Sequence, residues 1–147
     1  MLMRSLLAAL HFVALGVGFA AIWTRARALA RPDREPARGR VLAADTVWGL
    51  AALLWIGTGL LRAFGGYEKG AAYYLQSHAF WTKMALLVGV LLLELWPMAT
   101  FIRWCIAARR GGEIDTRATP WLARISYLQA VLVLAMVFAA SVMARGA

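Results

Sequence analysis

Apolar residues gather into four long runs, over residues 5–24, 41–64, 80–103 and 120–143. Crossing the hydrocarbon core of a bilayer takes about 20 mostly apolar residues as a helix. Each run meets that length, and each is too continuous for the alternating strands of a membrane barrel. The pattern predicts an all-α, integral membrane four-helix bundle that forms a single four-span domain over residues 1–147. The connections carry the helix-breaking residues: Pro32 and Pro36 in the first, Gly65, Gly66 and Gly70 in the second, and Gly111 and Gly112 in the third. Pro120 suits the first turn of the last span. No internal repeat is evident.

The N-terminus resembles a signal peptide in carrying Arg4 before an apolar stretch. The stretch runs on to Trp23 without a small-residue cleavage site, so it reads as a retained first helix. Trp23, Trp48, Trp81, Trp104 and Trp121 fall near the expected span ends, where an interfacial aromatic belt belongs.

Charge fixes the orientation. Lys and Arg number 16 against 7 Asp and Glu, a formal net charge of +9. The cations are blocked between apolar runs and not interleaved with stacking aromatics, which argues against nucleic acid. Arg25, Arg27, Arg31, Arg34, Arg38 and Arg40 crowd the first connection, and Arg103, Arg109, Arg110, Arg117 and Arg124 the third. The middle connection has only Arg62 and Lys69. Positive loops stay cytoplasmic, so both termini are expected on the opposite face. The single cysteine, Cys105, allows no intrachain disulfide.

Ionisable groups within a span cost about 2.5–3.5 kcal/mol on insertion scales, so they mark candidate sites. They are His11, Asp45, Arg62, Lys83 and Glu94, with Gln129 as a neutral polar neighbour. At 1.5 Å per residue, His11 lies about 9 Å and Lys83 about 5 Å from the same face, where Arg62 and His78 also sit. Glu94 lies about 21 Å into its span, too deep to join them. Asp45 suits a first-turn acid or a partner for a loop arginine. Glu94 is one turn before Pro97, and reads either as a proton-relay group or as a hydrogen-bond partner of Gln129 or Ser126. Gly16, Gly18, Gly49, Gly57 and Gly59 are expected at helix contacts, where small residues let backbones approach. Phosphate loops, paired histidines and a conventional zinc set are absent.

Glu68-Lys69-Gly70, Tyr73-Tyr74, Phe80-Trp81-Thr82-Lys83-Met84, Glu94-Leu95-Trp96-Pro97-Met98 and Phe101-Ile102-Arg103-Trp104 form a distinctive succession. With Ala9-Leu10-His11, Asp45 and Gly59-Leu60-Leu61-Arg62, it resembles a four-span bacterial family of unknown function, family 2214. More distantly, the layout is similar to the four-span protoporphyrinogen oxidases and the copper-resistance D membrane domain. In the oxidases a span-one histidine binds haem b and a span-three lysine after a tryptophan is needed for activity. His11 and Lys83 match those two positions, whereas span four lacks the oxidases' C-terminal pattern.

The resemblance implies a haem-b-binding protein of the bacterial inner membrane, an oxidoreductase acting on a porphyrin or quinone. His11 would be the metal ligand, with Arg62, Lys83 and Trp81 as cofactor-binding residues and Lys83, Arg62 and Glu94 as catalytic candidates. Haem iron takes an imidazole, and His78, Met1, Met3 or a second subunit's His11 could complete its axial set. Two other readings stand beside it. One is a cofactor-free structural or assembly subunit of a membrane complex. The other is a copper-handling protein that uses His11 with Met1, Met3 and Met143. The expected partners are the lipid bilayer and a second copy or a larger membrane complex.

Overall fold

The computed structural model describes residues 1–31, 38–67, 69–145. Pro32, Arg34, Pro36 and Glu68 lie outside the described residues, and with them the expected break of the first loop at its prolines. Four long helices account for most of the chain: α1 (Leu2–Leu29), α2 (Arg38–Phe64), α4 (His78–Arg109) and α5 (Thr119–Ala144). A single-turn helix, α3 (Ala71–Leu75), lies between α2 and α4. All four long helices have the length and apolarity to cross a membrane.

Each helix extends beyond its apolar run. α1 continues through Arg25 and Arg27, and α4 runs on to Arg109 and passes unbroken through Pro97. Ser77 caps the start of α4, its hydroxyl accepting from the backbone N–H of Phe80. Gly66, Gly70 and Gly111 have positive φ, a turn conformation that side chains with a Cβ disfavour.

The closely packed pairs are α1–α2, α1–α5 and α4–α5. α2 and α4 do not pack closely against each other, and a cavity lies between them. On α1 the buried residues Leu7, His11, Ala14, Gly18, Ala21 and Arg25 recur at steps of three and four. On α2 the same rhythm runs through Val41, Ala44, Trp48, Ala51, Trp55 and Thr58. That spacing is the seam of left-handed helix packing, and its small residues bring α1 and α2 together.

The core has three apolar levels. The middle one is built on Ala14, Ile22, Trp48, Trp55, Val90 and Val133. Ala28, Leu29, Val41, Phe101, Trp104 and Leu122 form the level at the arginine-loop end. Ala63, Tyr74 and Phe80 form the one at the termini end. Trp48 and Trp104 are buried here and do not belong to the interfacial belt expected of them, whereas Trp23, Trp81 and Trp121 are about half exposed. Trp48 fills the groove over Gly18, and the Trp104 indole donates to the Asp115 carbonyl. In the α4–α5 loop, Arg117 donates to the Asp115 carboxylate from its backbone and guanidinium, holding that carboxyl below its usual range.

The glycine expectation holds in part. A Cβ on Gly18 would meet Trp48 at 3.2 Å, and one on Gly59 would meet His11 at 3.2 Å. Gly16, Gly49 and Gly57 have nothing within 4 Å. They fall off the seam and face outward.

Candidate functional site

Two polar levels interrupt the apolar core. They are centred on His11 and Arg25, residues 14 positions apart on α1 and so roughly 21 Å apart along its axis.

The Arg25 level is a closed network. The sequence assigns this arginine to the first connection, yet α1 carries it on the buried seam, completely excluded from solvent. In a helix the Cα–Cβ bond tilts towards the N-terminus. The Arg25 side chain therefore starts back into the bundle instead of out towards head groups. Its Nη1 donates to Asp45 Oδ1 at 2.6 Å and to Glu94 Oε1 at 2.7 Å. Nη2 donates to Glu94 Oε2 at 3.0 Å and to Gln129 Oε1 at 2.7 Å, and Nε donates to Ser126 Oγ at 3.1 Å. Gln129 Nε2 donates in turn to Glu94 Oε2 at 2.7 Å and to the Val90 carbonyl. The Phe101 ring lies 5.7 Å from the guanidinium, within cation–π range.

Four helices thus meet on one guanidinium: α1 through Arg25, α2 through Asp45, α4 through Glu94, and α5 through Ser126 and Gln129. Glu94 bonds Gln129 as expected, whereas Ser126 serves Arg25. Asp45 pairs with an arginine from the first block, but on the eighth residue of α2 and not in its first turn. Sequence reasoning missed Arg25 because a cation near a span end reads as a topology signal. The signal that marks it is its register with His11, Ala14, Gly18 and Ala21.

The His11 level is tied as firmly. The Trp55 indole N–H donates to His11 Nε2 at 3.0 Å. His11 Nδ1 lies 3.0 Å from both the Trp55 carbonyl and Thr58 Oγ1. Thr58 itself donates to the Leu54 carbonyl, so its oxygen accepts from Nδ1–H. These bonds select the tautomer with the proton on Nδ1 and direct the Nε2 lone pair at the indole.

His11 borders the cavity of about 510 Å³ between α2 and α4. Phe12, Leu15, Phe80, Met84 and Leu87 are among its apolar walls, and Arg62, Lys69 and Lys83 are its cations. Lys69 lies over the Tyr73 ring at 4.4 Å and donates to its hydroxyl. Arg62 lies 6.0 Å from the Phe12 ring. His11, Arg62 and Lys83, grouped by depth in the sequence, therefore border one space.

Other candidates lie elsewhere. Trp81 and His78 are not in the cavity wall. Trp81 faces outward and donates to the Leu75 carbonyl. Glu94 belongs to the Arg25 level. Met1 and Met3 are exposed, and Met143 borders the cavity. Among the described residues no three His, Cys, Asp or Glu side chains cluster as metal ligands.

For a haem, the apolar walls and the cations suit a ring and its propionates. The His11 donor set does not suit the iron, because the one imidazole lone pair already accepts the Trp55 N–H. No redox step follows from this arrangement.

Four apolar helices around buried polar levels define a multi-pass α-helical membrane protein. The chain belongs to the family described as predicted membrane protein (DUF2214), whose model matches residues 3–147. No curated protein and no solved structure matches it.

Proposed function

We propose that this protein binds an amphiphilic molecule from the membrane in the cavity between α2 and α4, with an anionic end towards Arg62, Lys69 and Lys83. One observation carries the reading: a space of about 510 Å³ with aliphatic and aromatic walls and three cations on its border. An apolar cavity with a few placed polar groups is the usual form of a ligand site, and a bilayer supplies amphiphiles at high local concentration. The ligand class includes anionic lipids, isoprenoid acids and porphyrin carboxylates. Haem b is one member, and its iron would require the Trp55–His11 bond to give way. Positive loops favour the cytoplasmic side, which supports a cavity in the non-cytoplasmic half of a bacterial inner membrane and termini on that same side.

A cofactor-free structural or assembly role is the second reading. Its support is that both polar levels are bonded within the bundle, as a packing element requires. Native mass spectrometry of the purified protein, with absorption spectra before and after dithionite, separates the two. The binding reading expects a co-purifying anionic amphiphile whose occupancy falls about tenfold in Lys83→Ala, as loss of a charged hydrogen bond of about 1.5 kcal/mol implies. Protein that carries no amphiphile, or carries it equally in Lys83→Ala and Arg62→Ala, overturns that reading and favours the structural one.

A further inference from the structure

The Arg25 level holds two carboxylates and one cation. Asp45 from α2 and Glu94 from α4 both accept from the same nitrogen, Arg25 Nη1, at 2.6 and 2.7 Å. Their oxygens are therefore no further apart than those two bonds laid end to end. α5 contributes only the neutral Ser126 and Gln129, both fully buried. Among the described residues no second cation bonds either carboxylate. With both ionised, the cluster would carry one uncompensated negative charge between packed apolar levels, where water is scarce and an unpaired charge is costly. Two negative charges this close also repel each other.

We propose that Asp45 and Glu94 form a one-proton site, which at neutral pH holds a single exchangeable proton resting on Asp45. The bonding pattern places it there. Glu94 accepts three hydrogen bonds from good donors: Arg25 Nη1, Arg25 Nη2 and Gln129 Nε2. Asp45 accepts one bond, from Arg25, and the side chains of Asp45 and Glu94 keep 24% and 18% of their surface uncovered by the bundle. The step is simple protonation: a proton from solvent joins an Asp45 carboxylate oxygen, and the cluster goes from net −1 to neutral. Its ligand is thus a proton, taken up at a level of the bundle remote from the cavity.

Infrared spectroscopy of the protein in lipid nanodiscs tests this directly. Wild-type protein at neutral pH should show a protonated-carboxyl C=O band. Carbon-13 labelling of aspartate should shift it to lower frequency, and Asp45→Asn and Glu94→Gln should each remove it. Raising the pH should bleach it. The labelled wild type decides the matter even where a variant fails to fold. Absence of the band at neutral pH, its survival in Asp45→Asn, or a shift with labelled glutamate in place of aspartate each overturns the proposal.

Discussion

Arg25 shows how a single residue can be read two ways. As one arginine of a basic block it contributes to orientation, and as a buried guanidinium it joins four helices. Removing one partner of a buried ion pair costs about 3–5 kcal/mol because the other charge is left unpaired. Arg25→Ala should therefore lower the unfolding free energy in detergent by about that amount, read from thermal or denaturant melts. Arg25→Lys should recover only part of the loss, because an ammonium cannot serve Asp45, Glu94, Gln129 and Ser126 with a planar fork. Equal stability of Arg25→Ala and wild type would show that the network does not hold the bundle. At the other level, Trp55→Phe deletes the donor to His11 Nε2 and should cost about 0.5–1.5 kcal/mol through that bond alone. An unchanged melt would mean that water replaces the indole without loss.

At the scale of the helix, the decisive pattern is the three-and-four seam. Gly18 sits on it against Trp48 and Ala51, and Gly57 sits off it with open space outside. Gly18→Leu should force the α1–α2 pair apart and destabilise the protein by about 1–3 kcal/mol, as overpacking does. Gly57→Leu should be close to neutral. Comparing the two melting temperatures checks the register of both helices, and a larger effect at Gly57 would mean that the seam is misplaced. The seam is hard to see in the sequence because lipid-facing positions are as apolar as buried ones. A helix in water announces its inner face by contrast, and a membrane helix does not. The small and polar residues carry the information instead: Ala14, Gly18, Ala21 and Arg25 on α1, and Ala44 and Ala51 on α2.

For the whole molecule, the end of α1, the start of α2 and the α4–α5 loop lie at one end of the bundle, and the start of α1, α3 and the cavity at the other. Reporter fusions or cysteine labelling should find the loop around Gly112 in the cytoplasm and the segment around Gly70 outside. The reverse pattern would overturn the orientation and move the cavity to the cytoplasmic half. Burying Arg25 leaves this expectation intact, because five arginines of the first block remain beyond it.

The number of spans, the helical class and the grouping of His11, Arg62 and Lys83 were all legible in the chain. Length and apolarity alone decide whether a segment can cross a bilayer, and helical rise alone sets depth. Depth, however, says nothing about rotation. Which way each helix turns is decided by packing. Packing drew Arg25 out of its loop block to meet Asp45 and Glu94, sent Trp48 and Trp104 into the core, and turned Trp81 away from the cavity. It also set the Trp55 indole against His11 Nε2, a contact between residues 44 positions apart. Such bonds exist only once the helices are docked, when a buried polar group must find its partner across the bundle because neither lipid nor water supplies one.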